Sequence, residues 1–263
     1  MAQYTTQSSK YLANNDRIYE VVMLSDKDGN IINTFGVASN IPIASGDVDG
    51  YGHINKFGAT NGDVTAGTVW DGNSAAVTYP YPANSVIAIS STANSGAAVL
   101  VEGLDANFES VSETINIGST GSTVFSRIFR ARMVDTNNDA FVSLTMGGTE
   151  AARIIEDKAQ TLMAVYTVPA GKTAYLIKTQ MGSDKAATNA SLKYTLFARE
   201  TQDGNVFQIK GISYAAGGQS VTVEYPVPLK FIEKTDIRMD VLAASGGQTC
   251  SATFDIILVD NPT

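Results

Sequence analysis

A chain of 263 residues, 44% apolar and 17% charged, is long enough to bury one large or two ordinary cores without disulfides or metals. Its 26 acidic against 18 basic residues leave a net charge of −8, which argues against a general polyanion binder, because phosphate affinity comes from clustered Lys and Arg releasing counterions. A single cysteine, Cys250, excludes an internal disulfide and a thiolate zinc cluster; a single histidine, His53, excludes His-pair metal sites and makes any catalytic triad depend on that one position.

The first residues, MAQYTTQSSKYLANNDR, have no basic start ahead of an apolar core, so they do not read as a secretory signal. No apolar run approaches the roughly 18 residues of a membrane span, and the expectation is a soluble protein made in a cytoplasm. YEVVMLSDKDGNIINTFG reads as a hairpin turning at Asp28 and Gly29. DKDGN opens like a calcium loop, but that pattern wants glycine at its sixth position and an acid at its twelfth, where Ile31 and Val37 stand. From there to about Tyr81, Gly, Asn, Asp, Thr and Ala dominate. Residues 36–82 are therefore expected to form a loop-rich arm, since a long irregular stretch is usually functional or becomes ordered on a partner. Within it Asp47 and Asp49, near His53, could offer loop oxygens and an imidazole to a cation, with a solvated loop as the simpler account. Trp70, Tyr79 and Tyr81 could form a sugar-stacking platform, whereas an extended connection whose rings cover the core edge explains YPYPAN more simply.

Strand signals return at Ser85 with SVIAISS, AAVLVEG, ETINIG and VFSRIFRARMV. The stretch from Val99 to Ile117 holds four carboxylates, Glu102, Asp105, Glu109 and Glu113. GLDAN reads as the connection between two antiparallel strands, and Glu113 falls on the same strand face as Val111, Ile115 and Ile117, where an inward charge discourages unwanted pairing. A glycosidase could mount two acids on such strands, one with its pKa raised by burial, but acids in hairpins are common. RIFRAR concentrates Arg127, Arg130 and Arg132, either as a patch for nucleic acid or an acidic partner or, more simply, as a strand whose charged face meets water or a neighbouring chain. Residues 135–150 are turn-rich and place a division near residue 145, giving an N-terminal β domain over 1–145 and a C-terminal β-sandwich over 146–263.

Period-two alternation is clearest beyond that division. SLKYTLFAR sets Leu192, Tyr194, Leu196 and Ala198 on one face, and DIRMDVLAA does the same with Ile237, Met239, Val241 and Ala243, as strands burying one face should. TLMAVYTVPAGKTAYLIKTQ is two strands around a turn at Pro169 to Lys172, and ETQDGNVFQIKG bends at Asp203 and Gly204. Pro226 and Pro228 mark an edge strand. About seven strands follow residue 159 at sandwich spacing. AGKT ends like a phosphate-binding loop, but Tyr166 stands where its first glycine belongs, and the motif sits between strands. There is no nucleophile elbow, and Cys250 opens an apolar strand as a buried, inert thiol. The expected fold class is all-β, two antiparallel β-sandwich or jelly-roll-like domains with a loop-rich N-terminal segment; no catalytic, cofactor-binding or metal residue is assigned.

VIAISSTANSGAAVLVEGLDANFESVSETINI, followed by VFSRIFRARM and QTLMAVYTVPAGKTAYL, resembles a family of structural proteins of tailed bacteriophages over about residues 70–260. Its motifs are hairpin and strand patterns, so no functional residue transfers. The resemblance implies a non-enzymatic virion component. The first expectation is a capsid decoration or cement protein, for which a trimer is one arrangement, whose partners are the major capsid protein or other virion subunits and its own copies, without cofactor, nucleic acid or membrane. A tail, neck or fibre-associated protein is the alternative, and a carbohydrate-binding module a more distant one.

Overall fold

The computed structural model describes residues 41–72, 74, 77–184, 191–200, 206–243 and 247–262. The hairpin expected at Asp28 and Gly29, the calcium-loop lookalike and the bend at Asp203 and Gly204 lie outside them. A short helix α1, Ile41–Ser45, leads into β1 (Tyr51–Ala59) and β2 (Ala66–Thr68). Then come β3 (Ile87–Ser91), β4 (Ala98–Leu104), β5 (Ser110–Asn116), β6 (Arg127–Met133), β7 (Val142–Met146) and β8 (Thr149–Ile154). The last seven strands are β9 (Val165–Thr167), β10 (Lys172–Ser183), β11 (Ser191–Arg199), β12 (Gln208–Ala216), β13 (Ser220–Phe231), β14 (Asp236–Ala243) and β15 (Cys250–Asp260). The fold is all-β, with every strand pairing antiparallel.

Alternation of apolar residues builds two cores. In the larger sandwich, the sheet β1-β15-β10-β13 faces the sheet β12-β11-β14-β2, in which β9 also pairs with β14. Phe254, Ile256, Leu176 and Phe231 from the first meet Leu192, Tyr194, Leu196, Ile237, Met239 and Val241 from the second. The two faces predicted for β11 and β14 are the buried ones. Gly171, at φ 71°, makes the turn expected before β10. Between Leu176 and Lys178 a bulge shifts β10 against both neighbours, so its buried residues change from Ala174 and Leu176 to Thr179 and Met181. One extra residue reverses every later side chain, which hides this strand from a strict period-two pattern. The smaller sandwich stacks β3-β7-β8 on β5-β4-β6 around Ile87, Val99, Val101, Phe125, Ile128, Leu144 and Ile154.

The strand pairing does not follow the expected division at residue 145. That residue lies inside β7, paired with Ala88 on one side and Glu150 on the other. The preceding turn owes its Asn-rich, linker-like composition to Asn138, a fully buried side chain that donates to the carbonyls of Ala140 and Ile155 and accepts from Ala159 N. The interval expected to be an arm is also built into the fold where it is described: β1 pairs with β15 along its whole length, and β2 pairs with β14. The smaller sandwich is thus inserted between β2 and β9. Its entry and exit run antiparallel, with Trp70 opposite Met163, Ala164 N donating to Val69 O at 2.9 Å and Asp71 N to Leu162 O at 3.0 Å.

β1 lies directly on this paired neck. A Cβ on Gly58 would sit 2.2 Å from Ala164 N and 2.5 Å from Val69 O, backbone atoms that cannot turn aside. Gly58→Ala is expected to cost about 2–3 kcal/mol and lower Tm by about 5–10 °C. Gly52→Ala on the same strand, where the nearest atom is 4.0 Å away, should leave the thermal melt almost unmoved.

Candidate functional site

The densest group of charges and rings in the described residues lies where the two sandwiches meet. Asp236, at the start of β14 and 2% exposed, is its centre. From β6 of the smaller sandwich, Arg127 Nε donates to Oδ1 at 2.8 Å and Nη2 to Oδ2 at 3.0 Å. From β11, Arg199 Nε donates to Oδ2 at 3.0 Å, joined by its Nη2. Thr167 Oγ1 donates to Oδ1 at 2.6 Å. Burial alone would raise the Asp236 pKa, but the hydrogen bonds and charge of Arg127, with Thr167 and Arg199, outweigh it and hold the carboxyl below the usual range.

Rings roof these guanidiniums. Arg127 lies 5.3 Å from the centre of Tyr81 and 5.4 Å from that of Phe108. Arg199 stacks on Tyr81 at 4.7 Å and Phe207 at 4.6 Å, and Arg238 on Phe207 at 4.1 Å. Tyr81 and Phe108 hold φ angles of 48° and 67°, a left-handed conformation unusual for large side chains. Arg238 Nε lies 3.1 Å from Asp240 Oδ1 without the alignment of a hydrogen bond. Asp240 also accepts from Thr68 Oγ1 at 2.7 Å; burial dominates there and raises its pKa.

Two further contacts cross the same seam. Phe129 of β6 packs on Tyr166 of β9, ring centres 4.7 Å apart, and the Lys56 ammonium of β1 donates to Phe129 O. Burial, reinforced by repulsion from Arg130, pushes the Lys56 pKa down to about 8. In the neck, Asp71 Oδ2 accepts from Leu162 N at 2.8 Å, and burial raises its pKa well above the usual range. These contacts hold the two bodies together, Lys56 and Asp71 through backbone partners and Asp236 through its arginines.

The residues singled out in the sequence scatter. Arg127 is committed to Asp236; Arg130, whose Nη2 donates to Gln160 Oε1 at 2.6 Å, and Arg132 alternate with buried Ala131 and Met133 on the outer face of β6, where Arg130 sits opposite Glu102 and Arg132 opposite Leu100. The four carboxylates also separate. Glu102, on β4, lies between Arg130 of β6 and Ser112 of β5. Asp105 closes the β4–β5 turn by accepting from Asn107 N at 2.8 Å and Glu109 N at 2.9 Å. Glu113 reaches over to the next loop, accepting from Ser122 N at 2.8 Å, Ser122 Oγ at 3.0 Å and Thr123 N at 3.0 Å. Partial burial pushes its pKa up, but these donors win and lower it. Gly121 makes the approach possible, since a Cβ there would lie 2.5 Å from Glu113 Oε2.

Trp70 and Tyr79, 0% and 2% exposed, meet edge to face at 5.2 Å inside the smaller core, and Tyr79 meets Tyr81 likewise at 4.8 Å. No open ring face is left on either for a sugar. His53 stands on the outside of β1 with Nε2 3.5 Å from Asp255 Oδ1, while Asp47 accepts from Ser45 Oγ. Among the described residues, no three His, Cys, Asp or Glu side chains gather where they could hold a metal. Cys250 is fully buried, and burial pushes its thiol up to about 11. Lys172 of AGKT begins β10 and pairs with Asp260. The Arg127–Asp236 junction itself was not legible in the sequence, because its members are 109 residues apart.

No protein-family profile matches the chain, and no curated protein matches it in sequence. Among solved structures it is similar to that of infectious bursal disease virus, Gt strain, with 12% identity over 81% of this chain and 73% of the other and a TM-score of 0.25. The structure of T=1 particles derived from infectious bursal virus gives 10% identity over 81% and 74%, with a TM-score of 0.23. The VP2 subviral particle of infectious bursal disease virus gives 11% over 80% and 72%, also at 0.23. At these scores the likeness carries no argument about what the chain does.

Asp236→Asn is expected to destabilise the protein by about 3–5 kcal/mol at neutral pH, because Arg127 and Arg199 then face an uncharged partner in a buried site. A carboxyl with a depressed folded pKa contributes stability that is complete above its unfolded pKa of about 3.9 and is lost as pH falls through the folded value. The gap between wild type and D236N in denaturant titrations should therefore be constant above about pH 5 and narrow toward pH 2. Glu113→Ala should speed hydrogen exchange at the Ser122 and Thr123 amides while leaving β3, β7 and β8 as protected as before.

Proposed function

We propose that the protein is a non-enzymatic structural component of a virus particle, in the first instance a decoration or cement protein on the head of a tailed bacteriophage. The observation that carries this reading is the use made of its chemistry-bearing side chains. Asp236, Glu113, Asp105, Arg127, Trp70 and Tyr79 close turns, staple a loop or lock one sandwich to the other. The sequence resemblance over about residues 70–260 supports the same class. A paired-sheet scaffold of this kind suits lattice binding through shape and edges, and repeated copies make weak contacts sufficient by raising effective concentration.

Quantitative mass spectrometry of purified particles tests the assignment. Hundreds of copies per particle, with co-sedimentation of the purified protein on heads lacking it, are expected for a cement protein. A few to a few dozen copies would place it in the tail or neck instead, and absence from the particle would end the reading. Saturable glycan binding would favour a carbohydrate module, but Trp70 and Tyr79 are closed off inside the core.

A further inference from the structure

Charge is distributed unequally over the two outer faces of the larger sandwich. On the sheet β1-β15-β10-β13 opposite charges stand in register: Asp255 lies between Asn55 and Lys178, Lys178 is opposite Glu224, and His53 Nε2 and Asn55 Nδ2 both reach the Asp255 carboxylate. That face satisfies itself. On the sheet β12-β11-β14-β2 the acids are already spent, Asp236 on Arg127 and Arg199, and Asp240 beside Arg238. Among the described residues Lys193 of β11 and Lys210 of β12 form no ion pair, and Lys210 reaches only Gln208 Oε1, at 3.1 Å. A chain of net charge −8 thus turns a local surplus of positive charge outward here.

The same face is apolar at its centre. Tyr214, Lys193 and Leu242 form one cross-strand row, and Ile212, Thr195 and Asp240 the next. Tyr214 is 68% exposed, Leu242 53% and Ile212 45%, with Ile209 at 54% one row further along. Val77, 58% exposed, borders them on the far side, against Gly67 of β2. Lys193 stands between Tyr214 and Leu242, so its stem extends the apolar surface, while Lys210 marks the rim where β12 shifts against β11. Together they make an apolar surface on the order of 500 Å², the size at which an exposed patch with a polar rim marks an interaction site.

We propose that this sheet face is where the protein seats on a neighbouring virion subunit, and that the partner's surface presents apolar side chains flanked by carboxylates. The inference rests on the virion reading above. Charge decides the chemistry of the occupant. Covering the face takes Lys193 and Lys210 out of water, which is costly unless a carboxylate meets them, so an acidic surface is matched and a neutral or basic one is penalised. A second copy of the chain brings the same two lysines and no free acid, and nucleic acid would meet two cations around an apolar centre, too few to hold a phosphate backbone. The partner lies over the face rather than beside an edge, because Leu242 and Val77 stand across the sheet from β12.

Amine labelling reads the contact on the intact protein. Bound to purified particles that lack it, the protein should lose reactivity at Lys193 and Lys210 by about fivefold or more as these side chains leave solvent. Lys230, exposed on β13 of the other sheet, should label as in the free protein. Two variants separate charge from area: Lys193→Glu combined with Lys210→Glu, and Tyr214→Ala, should each weaken co-sedimentation by about tenfold or more with unchanged circular dichroism, whereas Lys230→Glu binds as wild type. Wild-type binding should also weaken as salt rises from about 50 to about 500 mM. Co-sedimentation with Lys193 and Lys210 still fully labelled, or with both variants binding as wild type, would overturn this inference and leave the virion reading standing. Failure of the wild type to bind the particles would overturn both.

Discussion

The two sandwiches meet around a carboxylate. Asp236 is buried in a chain with ample apolar side chains, so its place at the junction costs desolvation that five hydrogen bonds from Arg127, Arg199 and Thr167 offset. A greasy seam tolerates sliding and rotation; a fork of guanidinium on each side of one acid does not, because each bond is directional. The left-handed backbone at Tyr81, Phe108 and Lys234, worth on the order of 1–3 kcal/mol apiece, is concentrated at the same place, where it delivers two rings and an ammonium to the cluster. Strain and ion pairing together fix one orientation of the two bodies.

Elsewhere polar chemistry serves the same end on a smaller scale. Glu113 holds the 118–123 loop against β5, Asp105 closes a hairpin and Asn138 fills the interior of a turn. Each is an ionisable or amide group at a point where backbone donors or acceptors would otherwise go unpaired, which is the ordinary requirement for irregular chain packed close to a core. A scaffold stabilised this way keeps its outer faces free for contacts with other molecules.

Much of this was readable from the amino acids, and the division is physical. β11 and β14 bury one face and wet the other, so alternation gave their faces correctly, and the turn before β10 announced itself through Pro169 and Gly171. The β4–β5 hairpin and the stretches that became β3 and β6 were legible for the same reason. What stayed hidden is non-local. YGHINKFGA looks like loop because β1 is an edge strand with few large apolar residues, and its ladder depends on β15, some two hundred residues later. The bulge in β10 and the pairing of Trp70 with Met163 leave no local trace. The stretch around Asn138 read as a boundary because buried and solvated asparagines have the same letter.

The neck between β2 and β9 has a consequence for how such a chain can change over time. Trp70 and Met163 are cross-strand neighbours, so everything spliced between them begins and ends at one point of the larger sandwich. Lengthening, trimming or exchanging that cassette leaves the ladders of β10 to β15 intact, much as a graft leaves its rootstock whole. The host imposes one electrical condition on any newcomer: it must bring a cation to the acid that Arg127 now satisfies.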